Sequence, residues 1–194
     1  MDVKEFFLER HDTLYNSNIN GLLEPLTHEQ IRLRPHEAVN SIAWLLWHIT
    51  RCADVGMNIF VASHPQLLDE NWLKQLNVSL HDIGTGMNDD DVSDFSQRVD
   101  VDALCAYHAA VGQRTREIVV DLTPEVLDEI TDPDEVHKII LQEGLLRENA
   151  MWVENNFSGK PKAWFLAQLG IAHNYGHMYE ANTVRSLMGI RGNR

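Results

Sequence analysis

The sequence predicts an all-α protein: a four-helix bundle with additional short helices in the connections. Three observations carry this. Apolar residues recur at three- and four-residue spacing through four stretches, each about twenty residues long. Proline, glycine and capping residues separate these stretches. No alternating apolar and polar run reads as a strand. At 194 residues the chain is long enough for a sizeable core, and a single domain over 1–194 is expected.

Residues 3–24 read as the first helix, with Val3, Phe6, Phe7, Leu14 and Leu22 as a loose apolar stripe and Pro25 as its stop. Thr27 and Gln30 have capping-box spacing and start a short turn. Asn40 and Ser41 offer an N-cap for a second helix over 41–62. That helix is apolar around much of its circumference, with Arg51, Asp54 and Asn58 expected on its wet side. His48 shares a stripe with Trp44, Cys52 and Val55, which points it toward the core edge.

Residues 65–100 read as irregular, with a short turn near Trp72 and Leu76. Their stretch HDIGTGMNDDDVSDF suggests a lid or pocket wall, because long patternless loops are usually functional or mobile. Asp100 or Asp102 caps a third helix over 102–121, with Tyr107 and His108 on its inward stripe. Thr123-Pro124 and Asp132-Pro133 start two shorter helices, the second ending before Gly144. The last long helix begins near Ser158–Pro161 and stops at Gly189.

Composition narrows the function. The formal charge of −13 argues against nucleic-acid phosphates and anionic membranes as partners. No apolar run approaches a membrane span. The N-terminus lacks the basic start and apolar run of a secretory signal. Cys52 and Cys105 lie in separate helices outside any CxxC pattern, so reduced thiols and a cytoplasmic location are expected.

The chemistry concentrates in the last helix. His173 and His177 are four residues apart, which stacks both imidazoles on one helical face. A 3.6-residue period puts them on an inward stripe with Leu166, Leu169, Gly170, Glu180, Val184 and Leu187. Ten histidines yield such a pair by chance about half the time, so the spacing alone is weak. It is not HExxH, since Asn174 follows His173. Context strengthens it, because His48 also points inward from another long helix. Three neutral imidazoles with one open position suit zinc or a similar divalent ion. The competing reading is core histidines bonded to buried carbonyls or to Glu180.

Glu180 is a candidate base, or a partner that orients an imidazole; an ion pair on the helix surface is the alternative. His108 reads as a core histidine. His11, His28, His36, His64, His81 and His137 are expected in solvent. Trp44, Trp152 and Trp164 read as core or dimer-face residues, and Cys52 as a small buried residue.

Residues 41–49, SIAWLLWHI, resemble the second-helix signature of the DinB/YfiT-like superfamily. His173-Asn174-Tyr175-Gly176-His177 with Glu180 resembles that family's last-helix HxxxH, and Asp82–Met87 resembles the connecting loop of one branch. The resemblance covers most of the chain in order. It implies a four-helix bundle in which His48, His173 and His177 ligate a divalent metal, with zinc or nickel expected, and it suggests a homodimer. It also implies chemistry on a small-molecule substrate through a low-molecular-weight thiol such as mycothiol, bacillithiol or glutathione, of the S-transferase or maleylpyruvate-isomerase type. A metal favours thiolate over thiol at neutral pH. The same pocket would also suit a metal-dependent hydrolase, or a non-catalytic, stress-related protein that binds a metal or small ligand. Residues 124–158 depart from the family's pattern, being an acidic, tryptophan-containing segment longer than a simple connection.

Overall fold

The computed structural model describes residues 2–190. It is all-α, and among the described residues the β-pairing is limited to an isolated bridge between Ile130 and Pro161. Four long helices form the bundle. Helix α1 covers 3–23, as Val3–Asp12, a π-helical stretch Thr13–Ile19 and Asn20–Leu23. Helix α2 is the short His28–Arg32. Helix α3 covers 42–61, as Ile42–Asp54 continued by a π-helical Val55–Val61. Helices α4 (Glu70–Leu76) and α5 (Asp89–Arg98) precede the long α6 (Val101–Asp121). The next connection carries α7 (Pro124–Leu127), α8 (Pro133–Glu143) and α9 over 148–157. The last long helix, α10, covers 162–187 with a π-helical stretch at Gln168–Ala172.

Local chemistry sets these boundaries. Asp2 and Glu5 form a capping box on α1, and Thr27 and Gln30 form another on α2. The Ser41 hydroxyl accepts from the Trp44 amide at the start of α3, and Asp100 does the same for Ala103 on α6. A third capping box, Asn88 with Asp91, starts α5 where the sequence reads as irregular. Three aspartates in its first turn favour the positive end of the helix.

Helices α1 and α3 each pack on α6 and α10, which places those two pairs around a common core. One apolar cluster surrounds Trp47, Tyr107 and Leu14. A second joins Val55, Phe60 and Phe165 to Val136, Ile140, Leu145, Val153 and Phe157 from the 124–158 segment. That segment therefore builds core. Its Trp152 is 60% exposed, outside the core.

Arg51, Asp54 and Asn58 overturn their expected exposure, since all three are buried. Asp54 joins them. Asp54 accepts from Arg51, Asn58, the Tyr107 hydroxyl and the backbone amides of Leu67 and Leu68. Arg51 also donates to Gln66 and to the His81 carbonyl at 2.8 Å. A buried charge is tolerable when paired and hydrogen-bonded in this way. His11 is likewise buried, whereas Val3 and Phe6 are exposed.

Candidate metal centre

Close packing brings the last helix to the second long one. A Cβ on Gly56 would lie 2.8 Å from the Leu169 side chain, so only glycine permits this approach of α3 and α10. Leu169 lies within the π-helical turn at Gln168–Ala172. An i→i+5 turn holds one residue more than an α turn and shifts every later position on the helix face. Upstream, Leu166, Leu169 and Gly170 are buried on the expected stripe. Downstream the buried positions are Asn174, Met178, Ala181, Val184 and Arg185, mostly one residue later than an unbroken period gives. Leu187 is exposed, and His173 and His177 sit at the core's edge, partly exposed instead of sealed within.

There the two rings meet buried His48. The ring centroids of His48 lie 4.8 Å from His173 and 4.9 Å from His177, and the latter two are 4.6 Å apart. One ring nitrogen from each lies within 4.8 Å of the others, forming a group that could hold a metal ion. Ligation at about 2.0–2.1 Å in a tetrahedral arrangement sets the nitrogens about 3.3 Å apart, within reach of small side-chain rotations.

Hydrogen bonds orient two of the rings. His48 Nδ1 is 2.6 Å from the carbonyl of Ile83. A carbonyl only accepts, so Nδ1 carries the proton and Nε2 is left with its lone pair. His177 Nδ1 is 2.7 Å from Glu180 Oε2, which fixes its tautomer in the same way. The bond from His177 holds the Glu180 carboxyl below its ordinary range. The other carboxylate oxygen accepts from Asn40 Nδ2 at 3.4 Å. His173 Nδ1 is buried without a partner, which costs about 1–3 kcal/mol if left unsatisfied. Each of the three rings offers one nitrogen to the group, and two of them have Nδ1 committed elsewhere, so the residues present fit a metal.

Burial lowers His48 to about 4 and His173 to about 3, with neighbouring imidazoles adding to the effect. Both rings are neutral near pH 7 and able to donate a lone pair. Cys52 has no place in this set. Its sulfur lies 3.9 Å from His48 Nδ1, the nitrogen committed to Ile83, and burial pushes its thiol up to about 12.

The Asp82–Met87 loop forms a wall of the site. Gly84 adopts φ +89 and packs on the Trp44 indole, which stacks on His48 at 4.9 Å. Sequence reading places this loop near the site but does not find the Ile83 carbonyl, because any residue type supplies one. Asn40 carries a weak signal as a cap candidate, and its bond to Glu180 has none. His108 is buried, bonded through Nδ1 to Thr50.

Three comparisons bear on this arrangement. The family model for the DinB superfamily matches residues 15–181. A crystal structure from Enterococcus faecalis, described as a conserved protein, superposes with a TM-score of 0.71 at 18% identity, covering 97% of this chain and 99% of that one. At that identity the likeness speaks for the fold alone. No curated protein sequence gives a significant match.

Proposed function

The chain belongs to the DinB superfamily, and from that premise we propose that it is a metal-dependent enzyme using a low-molecular-weight thiol on a small-molecule substrate. His48, His173 and His177 would hold one divalent ion, zinc or nickel, and leave a fourth position free. The observation that carries the reading is the convergence of three imidazoles, two of them with the Nδ1 proton already committed elsewhere. When bound, the ion supplies a charge that favours thiolate over thiol at neutral pH.

The chain's own residues do the rest. Ile83 and Glu180 hold two rings with Nε2 facing the centre. Glu180 accepts from His177 and from Asn40, which supports a role in orienting His177 beside that of a base. Partial exposure of His173 and His177 gives an incoming thiol a route from solvent.

Tag-free protein purified without chelators tests the metal by elemental analysis. The expected result is about one ion per chain, lost in His48→Ala; a full ion retained by that variant overturns the ligand set. Incubating the metal-loaded protein with mycothiol, bacillithiol or glutathione and a panel of electrophiles, read by mass spectrometry, tests the thiol. Turnover only with thiol supports the reading. Hydrolysis without thiol replaces it with a hydrolase, and metal without turnover replaces it with a binding protein.

A further inference from the structure

We infer that Arg147, in the segment between the last two long helices, is a positioning residue for His48. The inference rests on the proposed metal site only in the part of its test that uses a metal. The path is short: two hydrogen bonds joined by one peptide link. His48 Nδ1 donates to the Ile83 carbonyl at 2.6 Å. Ile83 sits in a stretch without regular structure, so its carbonyl position depends on what anchors that stretch.

Two arginines anchor it from opposite sides. Buried Arg51, one turn beyond His48, donates to the His81 carbonyl. Arg147 Nε donates to Asp82 Oδ2 at 3.2 Å, and its Nη1 to Asp91 on α5. The other oxygen of Asp82 accepts the Gly84 amide at 2.7 Å. Arg147 thus ties one residue before Ile83 to α5 with two forks of one rigid plane, a geometry lysine cannot reproduce. The neighbouring backbone completes the clasp. Ile83 N donates to the Leu145 carbonyl at 3.0 Å, and Asn149 Nδ2 donates to the Gly86 carbonyl at 2.9 Å. Residues 145–149 therefore hold residues 82–86 at three points, and the middle one is the residue that fixes His48.

Partners that orient a metal-ligating histidine change metal affinity about 10- to 100-fold when removed. Arg147 acts one step further out, and its side chain is about a quarter exposed, where solvent screens the pair. The expected effect of its loss is at the lower end, about tenfold.

The test uses the full chain with Arg147→Gln, Arg147→Lys and, as a matched exchange, Arg98→Gln, whose side chain pairs with exposed Asp94. Circular dichroism checks that each is folded. In metal-free protein, nitrogen-15 NMR reads the His48 Nδ1 proton. The wild type and Arg98→Gln keep it protected from exchange; Arg147→Gln loses it, and Arg147→Lys keeps it in part. Co(II) titration with a competing chelator then gives affinity about tenfold weaker in Arg147→Gln, with an altered visible spectrum. An unchanged His48 proton in folded Arg147→Gln overturns the inference. If Arg147→Gln fails to fold, an unchanged proton in Arg147→Lys overturns it instead. Should the wild type bind no Co(II), the metal reading fails while the proton signal still decides the role of Arg147.

Discussion

Two groups of packed rings in this protein contain histidine, and their contrast explains what makes one of them a candidate site. At α3 and α10, His48, His173 and His177 meet edge-on, with interplanar angles of 62–84°. Beside α1 and α6, His11, Tyr15 and His108 lie face to face, with ring centroids 4.2 and 4.4 Å apart and planes within 23° and 2°. Edge-on rings direct lone pairs toward one point. Stacked rings direct them sideways, in parallel, so no single ion can be shared. In the stack, Thr50 gives its only hydroxyl proton to the Leu46 carbonyl at 2.6 Å, so His108 Nδ1 must donate to Thr50. His108 Nε2 is left buried and unpartnered. The stack borders a cleft of about 620 Å3, yet nothing in it converges. Packed histidine is common to both groups; the relative orientation of the rings separates them.

The largest expected difference is in metal content. His173→Ala should lose the ion entirely, while His108→Phe should retain one per chain, as read by elemental analysis. Loss from both would mean that the stack contributes to binding. Next comes Glu180→Ala, which frees the His177 ring to turn and should weaken Zn(II) about 10- to 100-fold in a chelator competition. Wild-type affinity in that variant would leave His177 oriented by packing alone.

Acid sensitivity is the smallest effect, and the stack gives a place to read it away from the three-histidine group. Burial lowers His11 to about 4 and His108 to about 3. The unfolded chain binds these protons first, near pH 6.5. Stability is therefore fully present above about pH 6.5 and falls as the pH drops toward the folded values, by about 1.4 kcal/mol per pH unit for each ring. Near His11, Asp12 opposes the shift and Arg116 adds to it. Denaturant melts between pH 7 and 4.5 should show a shallower decline in His108→Phe, by that amount for one ring. Parallel curves would show that His108 does not titrate with unfolding.

Much of the architecture was legible because it rests on local rules. The caps at Thr27, Ser41 and Asp100 and the proline starts at Pro124 and Pro133 are short-range and stand where the sequence puts them. The helix from Asp89 was hidden because its acidic first turn reads as a solvated loop, although Asn88 and Asp91 carry the capping spacing. Arg51 and Asp54 were misread because charge signals exposure until a partner from elsewhere in the chain is known. The last helix's stripe failed at one point for one reason. Regular periodicity has no way to include the π-helical turn at Gln168–Ala172, and most buried positions beyond it move by a residue. The three histidines were visible as residue types; the Ile83 carbonyl and Arg147 were not, because their roles depend on tertiary contact.

That wider turn has a kinetic side. Had the final helix kept a single winding throughout, His173 and His177 would face the interior, and any exchangeable ligand would have to wait for helices to part. Displaced to the rim, the pair lets small molecules come and go while the scaffold stays shut, so ligand exchange need not be limited by breathing of the fold.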